Sequence, residues 1–174
     1  MNKTKIKKVE NPELRKIQSS RFGELEVDES AFINFPHGLI GFEKYRDYII
    51  LEMDSFKPFA WLQSVDKPAL GFPIVDPALV KQDYEVKIDA GELKDIGVTD
   101  TSQARIFVIV TVPRGKPQEM SVNLLGPIIV NADQRRAMQI ALFDSDYPTK
   151  YYLVDEGKES SGQSEEDQVS CATA

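Results

Sequence analysis

Short apolar and β-branched runs, separated by turn residues, dominate the pattern of this sequence. Residues 104–112 are dense in β-branched side chains and end at Pro113, and residues 119–125 alternate apolar with polar positions. Both features are typical of β-strands rather than helices. We therefore predict an antiparallel hairpin made of these two runs and a link over residues 113–118.

Further strand candidates follow at the spacing of about 8–12 residues that is typical of sandwiches and barrels. They are residues 24–28, 32–35, 48–52, 59–64, 70–75, 85–88, 127–131, 137–143 and 150–154. Helical signals are brief: Asp76-Pro77 is a cap followed by proline, and Asp89 with Glu92 begins a turn that ends at Gly97. The predicted fold class is all-β, mainly antiparallel and barrel-like, with a few short helices.

The two ends of the 174-residue chain differ from its body in charge. Residues 1–20 form a basic extension with six Lys or Arg and two Glu, in which Asn11-Pro12 favours a short helix carrying Leu14 and Ile17. Residues 155–174 contain six acids, one Lys and few apolar groups, which predicts a disordered acidic tail. The compact domain is therefore expected at residues 21–154.

Composition bounds the compartment and the class of partner. The first twenty residues contain no apolar secretory core, and the longest apolar run, 106–110, is far shorter than the ~20 residues that cross a bilayer. One cysteine, Cys171, fits a reducing compartment. We expect a cytoplasmic protein that binds no membrane. A net charge of -7 argues against nucleic-acid binding, which relies on Lys and Arg.

Counting residue types also limits the available chemistry. His37 is the only histidine and Cys171 the only cysteine, so neither a two-histidine metal site nor a cysteine zinc site can form in a monomer. No glycine-rich phosphate loop is present. His37 lies between Pro36 and Gly38, where a turn histidine is expected. The sequence predicts a binding module rather than an enzyme, with no metal, cofactor or catalytic residue.

Aromatic residues crowd the first half of the chain, and they leave two alternatives open. An OB-like module for single-stranded nucleic acid would stack bases on exposed aromatics in a basic groove. A small-ligand β-barrel would enclose a deep pocket with a few polar groups. Here the aromatics are interleaved with Asp and Glu more than with Arg, so most of them are expected in the core.

Five segments in a fixed order resemble a known family. They are FGELEV at 22–27, INFPHGLIGF at 33–42, FAWLQS at 59–64, LGFPIVDP at 70–77 and NLLGPIIVN at 123–131, followed by Tyr147. In this order and spacing the chain resembles the bacterial flagellar assembly factor FliW over residues 21–154. The basic N-terminal extension departs from the family's usual short start.

The resemblance implies a β-barrel-like, non-enzymatic domain that binds two proteins. One is flagellin, the filament subunit, and the other is the carbon storage regulator, a small dimeric RNA-binding repressor of flagellin translation. Binding of the regulator would relieve the repression, and newly made flagellin would draw the factor away. Such a cycle requires the two complexes to disfavour each other through a shared surface or a coupling free energy.

The predicted partner-binding surface is an apolar groove for an amphipathic flagellin segment. Two stretches, 35–42 and 123–131, combine apolar groups with glycine and proline turns. For each residue, a purely structural role in a turn or barrel corner is the alternative. The residues chosen are Phe35, His37, Leu39, Phe42, Asn123, Pro127 and Asn131.

For the regulator, we expect a remote electrostatic effect rather than direct coverage of its RNA site. The body of the chain, residues 21–154, has a net charge of -6, and negative charge docked beside an RNA site repels incoming phosphates. The factor itself is expected to act as a monomer without direct nucleic-acid contact.

Overall fold

A computed structural model of the chain describes residues 13–89 and 91–153. Eleven strands lie in this part of the chain: β1 Leu14–Ser19, β2 Gly23–Asp28, β3 Ile33–Asn34, β4 Asp47–Leu51, β5 Ala60–Ser64, β6 Gly71–Val75, β7 Arg105–Thr111, β8 Ser121–Val122, β9 Ile128–Asn131, β10 Arg136–Gln139 and β11 Tyr151–Tyr152. Short 3₁₀ turns of three residues separate several of them.

Seven of these strands form a closed mixed barrel. Their order is β7-β6-β5-β4-β3-β10-β9, and β9 pairs back onto the first three residues of β7. Neighbours in the barrel are antiparallel except β3 and β10, which meet in parallel at the single pair Asn34↔Arg136. The prediction of an all-β, mainly antiparallel, barrel-like fold with a few short helices is confirmed.

The barrel interior is filled by apolar side chains from alternating strand positions. Every second residue of a strand points to the same face, so the inward residues meet in one cluster. Its fully enclosed members include Phe35, Tyr48, Leu62, Ile74 and Ile128. Each side chain of this size contributes about 1.5–3 kcal/mol when it is removed from water. The interior is therefore a packed core that supports the surface loops.

The predicted hairpin of residues 104–112 and 119–125 is present as β7 and β8. Val110 pairs with Val122 in antiparallel register, and Gly115 supplies a left-handed turn residue with φ of 69°. β8 is shorter than predicted because a 3₁₀ turn, Pro117–Glu119, precedes it. The other runs at 24–28, 32–35, 48–52, 59–64, 70–75 and 127–131 each contain a strand within one residue or so of the predicted ends.

Two predicted strands differ in the structure. Residues 85–88 run extended without a strand partner, because Val86 and Ile88 pack on the cluster around Leu93 instead of joining a ladder. The predicted strand 137–143 ends at Gln139. Pro127, which faces Ile140, has no N–H to donate, so only one backbone hydrogen bond forms at this position, from the Ile140 N–H to the Pro127 carbonyl at 3.0 Å. A further bond from the Leu142 N–H to the Leu125 carbonyl keeps the same register without a regular strand.

The prediction of an N-terminal helix that carries Leu14 and Ile17 is wrong. These residues lie in β1, which pairs with β2 along its whole length, from Leu14↔Asp28 to Ser19↔Gly23. Ile17 and Ser19 are buried while Gln18 between them is exposed, a two-residue period that only a strand produces. The strand-built part thus begins before residue 21. The remaining expectations for residues 1–12 and for the tail 155–174 lie outside the described residues, as does the end of the 150–154 run.

The two short helical signals are present as single 3₁₀ turns. Asp76 caps Pro77–Leu79 by accepting a hydrogen bond from the Ala78 N–H, as predicted. The second turn begins later than predicted, at Lys94–Ile96, and it ends at Gly97 with φ of 69° as expected.

Tyr48 buries a hydroxyl that finds no hydrogen-bond partner among the described residues. Burial raises the pKa of this phenol to about 12, so it stays neutral. Removal of a buried, unpaired polar group relieves a desolvation cost. We expect Tyr48→Phe to raise the free energy of unfolding by about 1 kcal/mol in denaturant titrations.

Tyr84→Phe is the matched control, because the Tyr84 hydroxyl donates a hydrogen bond to the Leu124 carbonyl at 2.7 Å. Its removal is expected to lower the free energy of unfolding by about 1 kcal/mol. Equal destabilisation by both substitutions would contradict the assignment of the Tyr48 hydroxyl as unpaired.

Candidate protein-binding surface

The predicted partner-binding residues do not share one environment. Phe35, Leu39 and Pro127 are buried in this structure, where they support the surface from within. The polar Asn123 and Asn131 are held in hydrogen bonds that shape turns. His37 and Phe42 are exposed, so their side chains are accessible to a partner.

The loop 36–42 is built from consecutive tight turns. The Gly38 N–H donates to the Phe35 carbonyl and the Phe42 N–H to the Leu39 carbonyl, at 3.0 and 2.7 Å. Gly38 has φ of +70°, and a Cβ there would lie 2.5 Å from the Cα of Glu43. Only glycine fits this position without displacing backbone. The turns direct Leu39 into the core and leave the next residue, Ile40, exposed.

Glu43 fastens the tip of this loop. Its carboxylate accepts a hydrogen bond from the Gly41 N–H at 2.9 Å. That backbone donor, together with the N–H of Glu43 itself, holds the pKa of the carboxyl below its ordinary 4.5. The lowered pKa means that the contact supports the loop above pH 4.5 and is lost as pH falls through the folded-state pKa.

Gln139 joins the two stretches that the sequence singled out. Its side-chain oxygen accepts a hydrogen bond from the Ile40 N–H at 3.0 Å, and its side-chain nitrogen donates to the Gly126 carbonyl at 3.1 Å. On the other side, the Gly126 N–H donates to the Asn123 side chain at 3.1 Å. Loop 36–42 and the turn at 123–126 are thereby fixed to the end of β10.

Three large apolar side chains are exposed on the segments that meet at this junction, and we call Ile40, Phe42 and Phe143 the apolar rim. Their exposed fractions are 57%, 38% and 85%. Phe42 rests edge-on against Phe72, and the segment before Phe143 is hydrogen-bonded to residues 125–127. Exposed apolar groups on a rigid support are typical of a protein-binding surface.

Sequence reasoning missed Ile40, Phe143 and Gln139. Ile40 lies inside the stretch 35–42 but is not among the predicted residues, and Phe143 is placed by the sequence in a strand that ends at Gln139. Its position directly before Asp144-Ser145-Asp146 is the one signal that could have indicated exposure.

Comparison with known proteins identifies the family. A sequence model of the FliW protein family matches residues 16–153, most of the chain. The chain belongs to the FliW family. The match begins inside β1, which agrees with that strand being part of the fold rather than of an extension.

Individual relatives agree with the FliW assignment. The chain is 41% identical over 148 residues to the flagellar assembly factor FliW of Natranaerobius thermophilus, covering 84% of this chain and 98% of the relative. It is 35% identical over 147 residues to that of Leptospira biflexa, covering 84% and 96%. A crystal structure of the flagellar assembly factor FliW superposes with a TM-score of 0.76 at 31% identity, over 82% of this chain and 99% of that one.

A polar corner lies at the other end of β10 in this FliW family member. His37 Nε2 and Asp95 Oδ2 are 2.7 Å apart, and Arg136 donates to the Asp95 carbonyl at 2.9 Å. Asn131 donates to the Ile96 carbonyl at 2.9 Å and fixes the same turn. His37 thus has a structural partner in the Asp95 carboxylate.

Two negative findings concern only residues 13–89 and 91–153. No cluster of three or more His, Cys, Asp or Glu side chains is arranged there to hold a metal ion. Within the same ranges, every helix is too short or too polar to span a bilayer.

Proposed function

We propose that this chain is a cytoplasmic flagellar assembly factor that binds flagellin through the apolar rim and antagonises the carbon storage regulator. Family membership supports the first part, because the relatives carry the name flagellar assembly factor. The single observation that supports a flagellin site is the rim itself, three exposed apolar side chains around a junction that Gln139 holds rigid.

An amphipathic segment is the natural occupant of such a rim. It can lay its apolar face on Ile40, Phe42 and Phe143 while its polar face stays in water. The rim is preorganised by the turn hydrogen bonds of loop 36–42, so little conformational entropy is lost on binding. These features favour a protein ligand over a small molecule, whose site would be concave.

For the regulator, we propose that the acidic body repels RNA phosphates from a docked complex. Negative charges near the rim include Glu43 and the 144–146 turn, both exposed. A remote effect of this kind lowers the regulator's RNA affinity to a plateau, whereas direct competition lowers it without limit as the factor is added. Raising salt shortens the screening length and should weaken the plateau effect.

The rim is tested by replacing its exposed apolar residues. We expect Phe143→Ser combined with Ile40→Ser to weaken flagellin binding about 30-fold, because central apolar contacts in protein interfaces are worth about 2 kcal/mol or more. The measurement is a calorimetric titration of purified flagellin monomer, with thermal unfolding of the variant to check that the fold is kept.

Leu79→Ser is the matched control, since Leu79 is 66% exposed but lies on the 3₁₀ turn after β6 rather than on the rim. It should leave flagellin affinity unchanged. If the rim variant binds as tightly as the control, the rim is not the flagellin site. If the unchanged protein binds neither flagellin nor the regulator, the proposed function itself is wrong.

A further inference from the structure

A cation stacked on aromatic rings lies at the turn between β1 and β2. The Arg21 guanidinium sits 4.8 Å from the ring centre of Trp61 and under 6 Å from those of Phe22 and Phe56. The turn is fixed because the Ser19 hydroxyl oxygen accepts from the Arg21 and Phe22 N–H groups, each at 3.2 Å. The turn therefore fixes the backbone of Arg21, and its guanidinium rests on the aromatic rings.

Arg21 has no acidic partner in the described ranges, in contrast to several other cations of the chain. Arg105 pairs with Glu52 and Lys16 with Glu24, whereas no described carboxylate forms an ion pair with Arg21. A cavity of about 330 Å³ opens beside it, lined also by Trp61 and Gly71. A guanidinium presents five donors suited to a carboxylate, so this position can accept an acidic group.

Aromatic rings connect this site to the end of the described chain. The ring centres of Trp61 and Phe56 are 6.4 Å apart, and those of Phe56 and Phe59 are 6.0 Å apart. We call these three rings and Arg21 the aromatic ridge. Phe59 lines a second cavity, of about 310 Å³, together with Leu153, the last described residue. The chain therefore continues from the far end of the ridge.

We propose that the acidic C-terminal segment folds back along the aromatic ridge and pairs a carboxylate with Arg21. An extended chain covers about 3.3–3.6 Å per residue, so six residues after Leu153 reach about 20 Å, enough to pass the ridge. Asp155, Glu156 and Glu159 fall within those six residues. They provide the acidic group that Arg21 lacks. This inference is independent of the flagellin site.

Charge and tethering both favour this segment over a separate molecule. Residues 155–174 contain six acids and one lysine, in a chain that is acidic overall. Because the segment is covalently attached, its effective concentration at the ridge is on the order of millimolar, which suffices for a weak ion pair with stacking. Occupancy would cover Trp61 and the guanidinium, so another acidic ligand could use the ridge only by displacing the tail.

The chain itself offers the probe, because Trp61 is its only tryptophan and Cys171 its only cysteine. In a full-length Cys171→Ser chain, Ser160→Cys carries a nitroxide, which quenches tryptophan emission at short range. About half of the Trp61 emission should be quenched relative to the chemically reduced label, since the effective concentration is comparable with the dissociation constant. Raising salt from about 0.1 to 1 M should restore the emission, because the screening length falls from about 10 to 3 Å.

Two pairs of variants locate the contact. Arg21→Gln should abolish the quenching, whereas Arg114→Gln, which removes another exposed positive charge from the β7–β8 turn, should not. A triple variant Asp155→Asn, Glu156→Gln and Glu159→Gln should abolish it without altering the folded domain. Neutralising Glu165, Glu166 and Asp167 instead removes the same tail charge and should leave it intact.

Equal quenching in Arg21→Gln and Arg114→Gln would overturn the proposal, as would equal effects of the two triple variants. Quenching that grows with protein concentration would also overturn it, because it would mean that a second copy supplies the acidic segment. If the label on Ser160→Cys does not quench Trp61 emission in the chain that keeps Arg21 and the acidic residues, the tail does not occupy the ridge, and the proposal is wrong.

Discussion

Gly38→Ala is expected to lower the free energy of unfolding by about 3 kcal/mol and to displace loop 36–42. A left-handed backbone costs an alanine about 1–2 kcal/mol, and the added Cβ meets the backbone of Glu43 at 2.5 Å, where no flexible side chain can move aside. Denaturant titration measures the stability loss. Under the proposed function, flagellin binding should fall together with stability, because this loop holds Ile40 and Phe42.

Gly41→Ala separates the two contributions. Gly41 also has positive φ, +84°, but nothing lies within 4 Å of the position of its Cβ. It should therefore cost only the conformational part, about 1 kcal/mol. Equal losses in the two variants would show that the Glu43 backbone yields and that the close approach at Gly38 is unimportant.

Gln63→Met is expected to cost about 3 kcal/mol, because it leaves several buried polar groups without partners at nearly unchanged volume. The Gln63 side chain accepts hydrogen bonds from the Ser19 hydroxyl at 2.8 Å and the Trp61 indole at 3.1 Å. Its nitrogen donates to the Leu70 carbonyl at 3.0 Å. Since it ties β1 to the barrel, the near-ultraviolet dichroism of Trp61 should also weaken.

Gln139→Met is the comparison for this prediction. Gln139 makes two similar hydrogen bonds but is only half-buried, so water can replace the lost partners. We expect Gln139→Met to lower the free energy of unfolding by about 1 kcal/mol. Under the proposed function, it should weaken flagellin binding more than Gln63→Met does for the same loss of stability. A Gln63 variant as stable as the Gln139 variant would refute the role of Gln63 as a buried connector.

The pattern of the sequence was sufficient for the barrel strands because burial and alternation act locally. β-Branched side chains in β7 and alternating residues in β8 carry their own strand signal, and Gly115 marks the turn between them. Leu14 and Ile17 predicted a helix instead, because a spacing of three is compatible with a helix when only two apolar residues are available. Pairing with β2 decided the outcome, and pairing is not a local property.

The turns that form the candidate site carry a sequence signal, whereas the exposure of their individual side chains does not. Glycine and proline mark loop 36–42 as a set of turns, yet nothing local distinguishes buried Phe35 from exposed Phe42. The turn at Gly38 reverses which side chains face the core. Gln139 lies 99 residues from Ile40, and a neutral amide carries no sequence signal of the backbone groups that it will bind.

The single residue pair between β3 and β10 is the shortest pairing between neighbouring strands of the barrel. Its neighbours in the sheet are joined by ladders of two or four pairs. Local unfolding follows the boundaries with the fewest backbone hydrogen bonds. We therefore expect the barrel to open transiently between β3 and β10, and β3 leads directly into loop 36–42. Ligand binding by loop 36–42 would then be thermodynamically linked to the free energy of local opening between β3 and β10.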